Sequence, residues 1–375
     1  MEGAECIILV PGLFGFSKIG GVSYFSEVKK LLSKATKIKD ITAIETPPTG
    51  PLWRRVDAVH RCVVEKVNSG ASRIHLVGHS TGGVDVRLLT NSRYLWPGGP
   101  TGKERTAFFK RIGSVISISA PHRGTPIARR LRGSMEQAVT ALYVASFVAK
   151  HSAQDGSLLK EIWDNDLRTR LARSAKAGTI EGILKEISAA PRSSTREILD
   201  FFGEIVDDHQ LIHELTPHAM DRLNARLGGA DVQQVPLSTV VTVAPPPRIR
   251  STDLFRLSPA RRALYSLSYV QARLEPDEFG ALPTGRWIDE PPNLASFART
   301  AQDGVVPAAS QTLTGEADLL VFADHLDVVG HYRGVHGGVT LFDSGAAFDD
   351  TRMEELWTSI GNLVSDAPAR RSNAA

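Results

Sequence analysis

The hexapeptide Gly78-His79-Ser80-Thr81-Gly82-Gly83 stands directly after the run Arg73–Val77 and directly before residues with helical spacing. It fits G-x-S-x-G in the strand-to-helix setting which that motif requires. The turn is sharp and strains the serine backbone, and only small residues at 78 and 82 let the helix pack on its strand with the hydroxyl exposed. The chemistry on offer is nucleophilic attack by the Ser80 oxygen, with the Thr81 amide at a helix N-terminus, where negative charge would develop. A second backbone donor is expected from Val10-Pro11-Gly12-Leu13-Phe14-Gly15-Phe16, a glycine-bearing loop at the end of the first strand, with the Leu13 N–H first and Phe14 next.

A serine hydroxyl needs a base, and the base needs an orienting carboxylate. On such a fold the chain order is Ser, then Asp or Glu, then His. Gln302-Asp303-Gly304-Val305-Val306-Pro307 puts Asp303 in a turn ahead of the strand Leu319–Ala323, and Asp324-His325-Leu326-Asp327 follows that strand. His331 competes with His325 as base but falls in a following helix. Asp324 and Asp318 compete with Asp303 as acid. Asp303 is preferred because Gly304 lets the loop turn and Pro307 fixes its exit, whereas Asp324 adjoins His325 and is poorly placed to reach its Nδ1. His122, in Ser119-Ala120-Pro121-His122-Arg123-Gly124-Thr125, precedes every candidate acid and reads as a structural hydrogen-bonder.

These pieces together resemble a bacterial lipase/esterase of the α/β-hydrolase superfamily, the group with the Pseudomonas/Burkholderia-type and staphylococcal-type triacylglycerol lipases. The matching segments are Val10–Leu13, Gly78–Gly83, Ser119–Thr125, Glu214–Pro217 running to Leu223-Asn224, Asp303–Val306 and His325–Asp327, in the family's order. The resemblance implies a carboxylic-ester hydrolase with Ser80, Asp303 and His325 as triad, Leu13 and Thr81 as oxyanion donors, and no organic cofactor. Pro11 stands where many such lipases have His, and Thr81 where Gln is common; both changes leave the backbone donors in place. In some related lipases an Asp matching Asp327 helps hold a structural calcium, so Asp327 is a candidate metal ligand, although calcium takes six to eight oxygens. Substrates expected are small-molecule or lipid esters. The alternatives are another acyl-transfer enzyme on the same site, such as a lactone or polyester hydrolase or an acyltransferase, and a binding protein with a degenerate hydrolase fold.

The elements that must position these residues alternate. Ile7–Val10, Ile41–Ile44, Ile74–Val77 and Val115–Ile118 read as buried strands, and Tyr24–Lys34, Leu52–Val67 and Gly83–Leu89 as amphipathic helices between them. The expected fold is α/β, an α/β-hydrolase fold whose mostly parallel central sheet carries helices on both faces. Residues 1–126 form the first part of the core. A helical cap or lid insertion follows over 127–235, with helices at Met135–Ala149, Leu158–Ala172, Ile180–Ser188, Ser194–Leu215 and Pro217–Leu227. Apolar faces on Ala138, Leu142 and Ala145 and on Phe201, Phe202 and Ile205 would bury the insertion and line an acyl pocket. The core resumes over 236–367 with Ser238–Val243, an irregular and helical stretch at about 250–300, Leu319–Ala323 and the helix Met353–Val364, and 368–375 is a disordered tail. Beside Asp208, His209 and His213 lie four apart on one helix face, which reads as solvated rather than zinc-binding.

Composition sets outer bounds. In 375 residues, 44 Lys+Arg against 41 Asp+Glu give a formal charge of +3, which argues against a nucleic-acid partner. With 42% hydrophobic and 23% charged residues the chain is not of disordered composition. Cys6 and Cys62 cannot make a multi-disulfide scaffold and read as reduced thiols. The run Ala138–Ala149 falls short of the ~20 residues that span a bilayer, and no export signal opens this numbering, so a cytoplasmic protein without a transmembrane segment is expected.

Overall fold

The computed structural model describes residues 4–13, 15–19, 22–130, 208–228, 234–247, 265–266, 268–270, 272, 281–291, 293–336 and 342–366. Phe14, the expected helices between 135 and 207, the apolar faces on them and the tail from 368 lie outside these residues.

Seven parallel strands form one sheet: β1 (Ala4–Val10), β4 (Asp40–Ala43), β5 (Ala71–His79), β6 (Ile112–Ile118), β7 (Leu237–Val243), β8 (Thr284–Trp287) and β9 (Glu316–Phe322), in the order β4-β1-β5-β6-β7-β9-β8. A small antiparallel ribbon, β2 (Lys18–Ile19) with β3 (Val22–Ser23), follows β1 and brings Tyr24 back beneath it. The six strands expected from β-branched runs are all present, and the fold class is as expected.

Side chains two apart along a strand share a face, and β1 divides cleanly on that rule. Ile7 and Leu9 pack with helices α1 (Val28–Thr36) and α8 (Asp350–Ser365), whereas Cys6, Ile8 and Val10 pack with α2 (Leu52–Asn68), α3 (Thr81–Thr90) and α4 (Gly102–Arg111). After the short α5 (Pro126–Arg130), helices α6 (Gln210–Glu214) and α7 (Pro217–Leu227) bury Leu211, Met220 and Leu223 in that same second layer. Glu214 Oε2 accepts the free N–H of Leu52 at the start of α2, at 2.7 Å. The end of the stretch assigned to the insertion is therefore built into the core.

Two elements escape the pattern. α4 has only the adjacent pair Phe108-Phe109 as large apolar residues, so no stripe at helical spacing announces it; Arg105 stacks on Trp96 and Phe109 instead. Among the described residues β8 is an edge strand paired with β9 alone, and Trp287 is its single large apolar residue. Cys6 and Cys62 are free thiols, both pushed up to about 11 chiefly by burial. Among the described residues no helix is long and apolar enough to cross a membrane.

Candidate active site

Ser80 ends β5 and opens α3 with φ 54° and ψ −127°, a left-handed backbone rare for a residue with a Cβ. Close packing holds it there: a Cβ on Gly78 would lie 2.1 Å from the Gly82 carbonyl oxygen, and one on Gly82 would lie 2.2 Å from that of Val10. The Ser80 N–H is tied to Ile118 O at 2.8 Å. Thr81 is the first residue of α3, so its N–H is one that the helix itself leaves without a partner.

The loop after β1 crosses directly against this turn. A Cβ on Gly12 would sit 2.6 Å from Ser80 Cβ and 3.0 Å from its Oγ. Two buried groups fix the loop's peptides. Arg55 Nη2 donates to the carbonyls of Pro11 and Gly12, at 2.8 and 3.1 Å, and its Nε donates to Asp85 Oδ2 at 2.9 Å. On the opposite side Gly12 N–H donates to the Tyr24 hydroxyl at 2.9 Å. In a trans peptide the C=O and the following N–H point opposite ways. With the Gly12 carbonyl held by Arg55 and by Gly15 N–H, the Leu13 N–H faces away from Arg55.

Asp303 and His325 meet as expected. His325 Nδ1 lies 2.7 Å from Asp303 Oδ2, and the His325 backbone N–H donates to Asp303 O at 3.0 Å. Asp303 is completely buried, yet its carboxylate is fully served. Oδ1 accepts the N–H groups of Val305 and Val306 at 2.9 and 2.7 Å, and Oδ2 accepts Thr242 Oγ1 at 2.8 Å and Gln311 Nε2 at 3.3 Å. These donors satisfy polar atoms that have been taken out of water. Gln311 also pairs with both backbone groups of Thr242, which locks the threonine under the acid. The acid loop rests on the Ser119–Thr125 turn, where Thr125 Oγ1 donates to Val305 O at 2.6 Å. No hydrogen bond joins Ser80 Oγ to the His325 imidazole in this structure; such bonds often tighten only when substrate is bound.

The competing residues have other partners. His331 Nε2 donates to Tyr24 O at 2.9 Å, and Asp318, inside β9, accepts the Thr239 N–H at 2.7 Å. His122 is fully buried, with Nε2 2.9 Å from Ser117 Oγ, and burial with nearby Arg87 depresses its basicity far below the ordinary imidazole range. Asp324 and Asp327 flank His325 and bind each other's backbone: Asp324 N–H donates to Asp327 Oδ2 and Asp327 N–H to Asp324 Oδ1. Burial pushes Asp324 up to about 6, and burial with the neighbouring Asp324 raises Asp327 well above the ordinary carboxylate range. Among the described residues no group of three or more His, Cys, Asp and Glu side chains is placed to hold a metal ion, at Asp327 or at Asp208, His209 and His213. Sequence reading passed over Tyr24, Arg55, Asp85, Thr242 and Gln311.

The chain matches no protein-family model. It is 31% identical over 160 residues to a triacylglycerol lipase of Pseudomonas fragi, covering 40% of this chain and 47% of the relative. To a triacylglycerol lipase of Vibrio cholerae it is 27% identical over 128 residues, 34% of this chain and 36% of that one. The matches thus span about half or less of these curated relatives. Among solved structures, EstA from Clostridium botulinum superposes with a TM-score of 0.52 at 16% identity, over 96% of this chain and 87% of that one. Lipase 1 from Pelosinus fermentans gives 0.51 at 15% identity, over 97% and 98%. The fold is the α/β-hydrolase fold.

Proposed function

We propose that this protein hydrolyses carboxylic esters through an acyl-enzyme on Ser80. The observation that carries the reading is the buried, fully hydrogen-bonded Asp303 paired to His325 Nδ1 beside a serine held at positive φ. With Nδ1–H donated to Asp303, the proton-free Nε2 is the base. Ser80 Oγ attacks the ester carbonyl carbon and gives its proton to His325 Nε2, while the Leu13 and Thr81 N–H groups take the oxyanion. Collapse breaks the bond to the alcohol oxygen, which leaves with the proton from Nε2. Water then attacks the acyl carbon and gives a proton to His325 Nε2; the Ser80 Oγ–acyl bond breaks, Oγ takes that proton, and the carboxylic acid departs. Each step uses this chain's own side chains and backbone.

The curated relatives are named triacylglycerol lipases, and this extends the proposal to lipid esters as substrates. The test is a hydrolysis profile over esters of rising acyl length, with and without chelator, beside labelling by a fluorophosphonate. Ser80→Ala should lose activity by at least about ten-thousandfold and abolish labelling. Full activity in that variant overturns the proposal. A competing alcohol in the same assay separates hydrolysis from acyl transfer at Ser80.

A further inference from the structure

The second residue of the nucleophile turn, His79, is completely buried and makes two hydrogen bonds that join loops far apart in the chain. Its Nε2 lies 2.8 Å from the backbone carbonyl of His325, and its Nδ1 lies 2.7 Å from the Tyr24 hydroxyl. A carbonyl can only accept, so Nε2 carries the proton and Nδ1 is the acceptor. The Tyr24 hydroxyl must then donate to Nδ1, and its oxygen is left to accept the Gly12 N–H at 2.9 Å. Every proton in the sequence Gly12, Tyr24, His79, His325 is thereby assigned without ambiguity. Burial, with the nearby His325, keeps His79 far below the ordinary imidazole range, so this neutral tautomer persists.

The parts are rigid. The Tyr24 ring stands edge-on to Phe16 and Phe25, with centroids 5.4 and 5.0 Å away, and its backbone carbonyl is held by His331. Gly12 is where the oxyanion loop touches Ser80, and His325 is the base. We propose that Tyr24 and His79 are positioning residues, a hydrogen-bonded strut that sets the oxyanion loop and the loop of the base at a fixed separation across Ser80. This rests on the ester-hydrolase reading above. The strut acts through the peptide of Gly12 and the carbonyl of His325, and the His79 ring also packs on the His325 ring with centroids 4.8 Å apart. A displacement of about 1 Å in either loop is enough to cost on the order of a hundredfold in rate.

The experiment measures kcat and KM on a short-chain ester, with kcat counted per Ser80 titrated by fluorophosphonate, so that loss of folded protein does not register. Tyr24→Phe removes only the hydroxyl and should lower kcat by about ten- to a hundredfold with KM within about threefold. His79→Asn cannot span both partners and should do the same. Because both break one strut, the double variant should be no worse than the worse single. Tyr332→Phe, which removes a half-buried hydroxyl bonded to Asp350 at the start of α8, should keep wild-type kcat per site. Labelled wild type with unchanged kcat in Tyr24→Phe and His79→Asn overturns the strut and leaves the ester-hydrolase reading standing. Losses that multiply in the double variant also overturn it. If Tyr24→Phe does not fold, His79→Asn decides alone. Failure of wild type to label at Ser80 sinks the underlying reading instead.

Discussion

Replacing Asp303 by Asn exchanges one oxygen for an amide nitrogen and tests how the proposed triad is protonated. The Oδ1 position faces two fixed backbone donors, the N–H groups of Val305 and Val306 at 2.9 and 2.7 Å. An amide nitrogen there would oppose donor to donor, so the Asn oxygen must take this position. Its NH2 then occupies the Oδ2 position, 2.7 Å from His325 Nδ1. The displaced Thr242 hydroxyl has another acceptor in Gln311 Oε1 at 3.2 Å. His325 Nδ1 can now only accept, so its proton moves to Nε2, and the base is lost in the resting enzyme. Such a wrong tautomer costs on the order of ten-thousandfold in kcat, or about 5 kcal/mol of barrier. KM should change little, because nothing that binds substrate has moved. The assay is kcat per fluorophosphonate-titrated Ser80, with circular dichroism to show an intact fold. A variant that keeps kcat within about tenfold of wild type refutes the assignment of Asp303 as the orienting carboxylate.

Two further predictions concern the groups around the triad. Gly12→Ala places a methyl 2.6 Å from both Ser80 Cβ and the Tyr24 hydroxyl oxygen, and neither neighbour is free to give way. The loop after β1 must shift against its Arg55 and Tyr24 hydrogen bonds, so kcat per titrated Ser80 should fall about a hundredfold; wild-type kcat would refute the close approach. Asp324→Asn tests pH dependence. Its carboxyl is raised from 3.8 to about 6 in the folded state by burial, so between about pH 4 and pH 6 the folded chain holds a proton that the unfolded chain has released. Stability therefore falls as pH rises through that window and stays lower above it. The amide oxygen can still accept the N–H groups of Leu326 and Asp327. The variant should gain midpoint temperature at pH 7.5, gain nothing at pH 4, and show a shallower slope between. Some slope remains, because Asp327 and Asp85 are also raised by burial. Scanning fluorimetry from pH 4 to 8 checks this, and a variant less stable at pH 7.5 contradicts it.

The candidate residues Ser80 and Asp303 were legible because each sits in a short segment whose backbone chemistry is local. Gly78 and Gly82 bracket Ser80, and Gly304 and Pro307 shape the turn at Asp303. The residues that hold these segments in place make their bonds across long stretches of chain. Tyr24 meets His79 over 55 positions, and His79 meets His325 over 246, so no spacing rule connects them. Arg55 and Asp85 did leave a trace. Arg55 falls three residues after Leu52 and four before Val59, on the buried face of α2, and Asp85 lies between Val84 and Val86 in a helix that is buried on every side. A charge on an apolar helix face is costly unless a partner waits on the neighbouring element. Opposite charges on the inner faces of two adjacent helices therefore point to one buried pair, and here that pair's remaining donors reach Pro11, Gly12 and Pro47. A buried guanidinium has more donors than one carboxylate can satisfy, and the surplus settles on whichever carbonyls lie within reach. In this chain two of those carbonyls, Pro11 and Gly12, belong to the loop that touches Ser80, so an ion pair of the core clamps that loop.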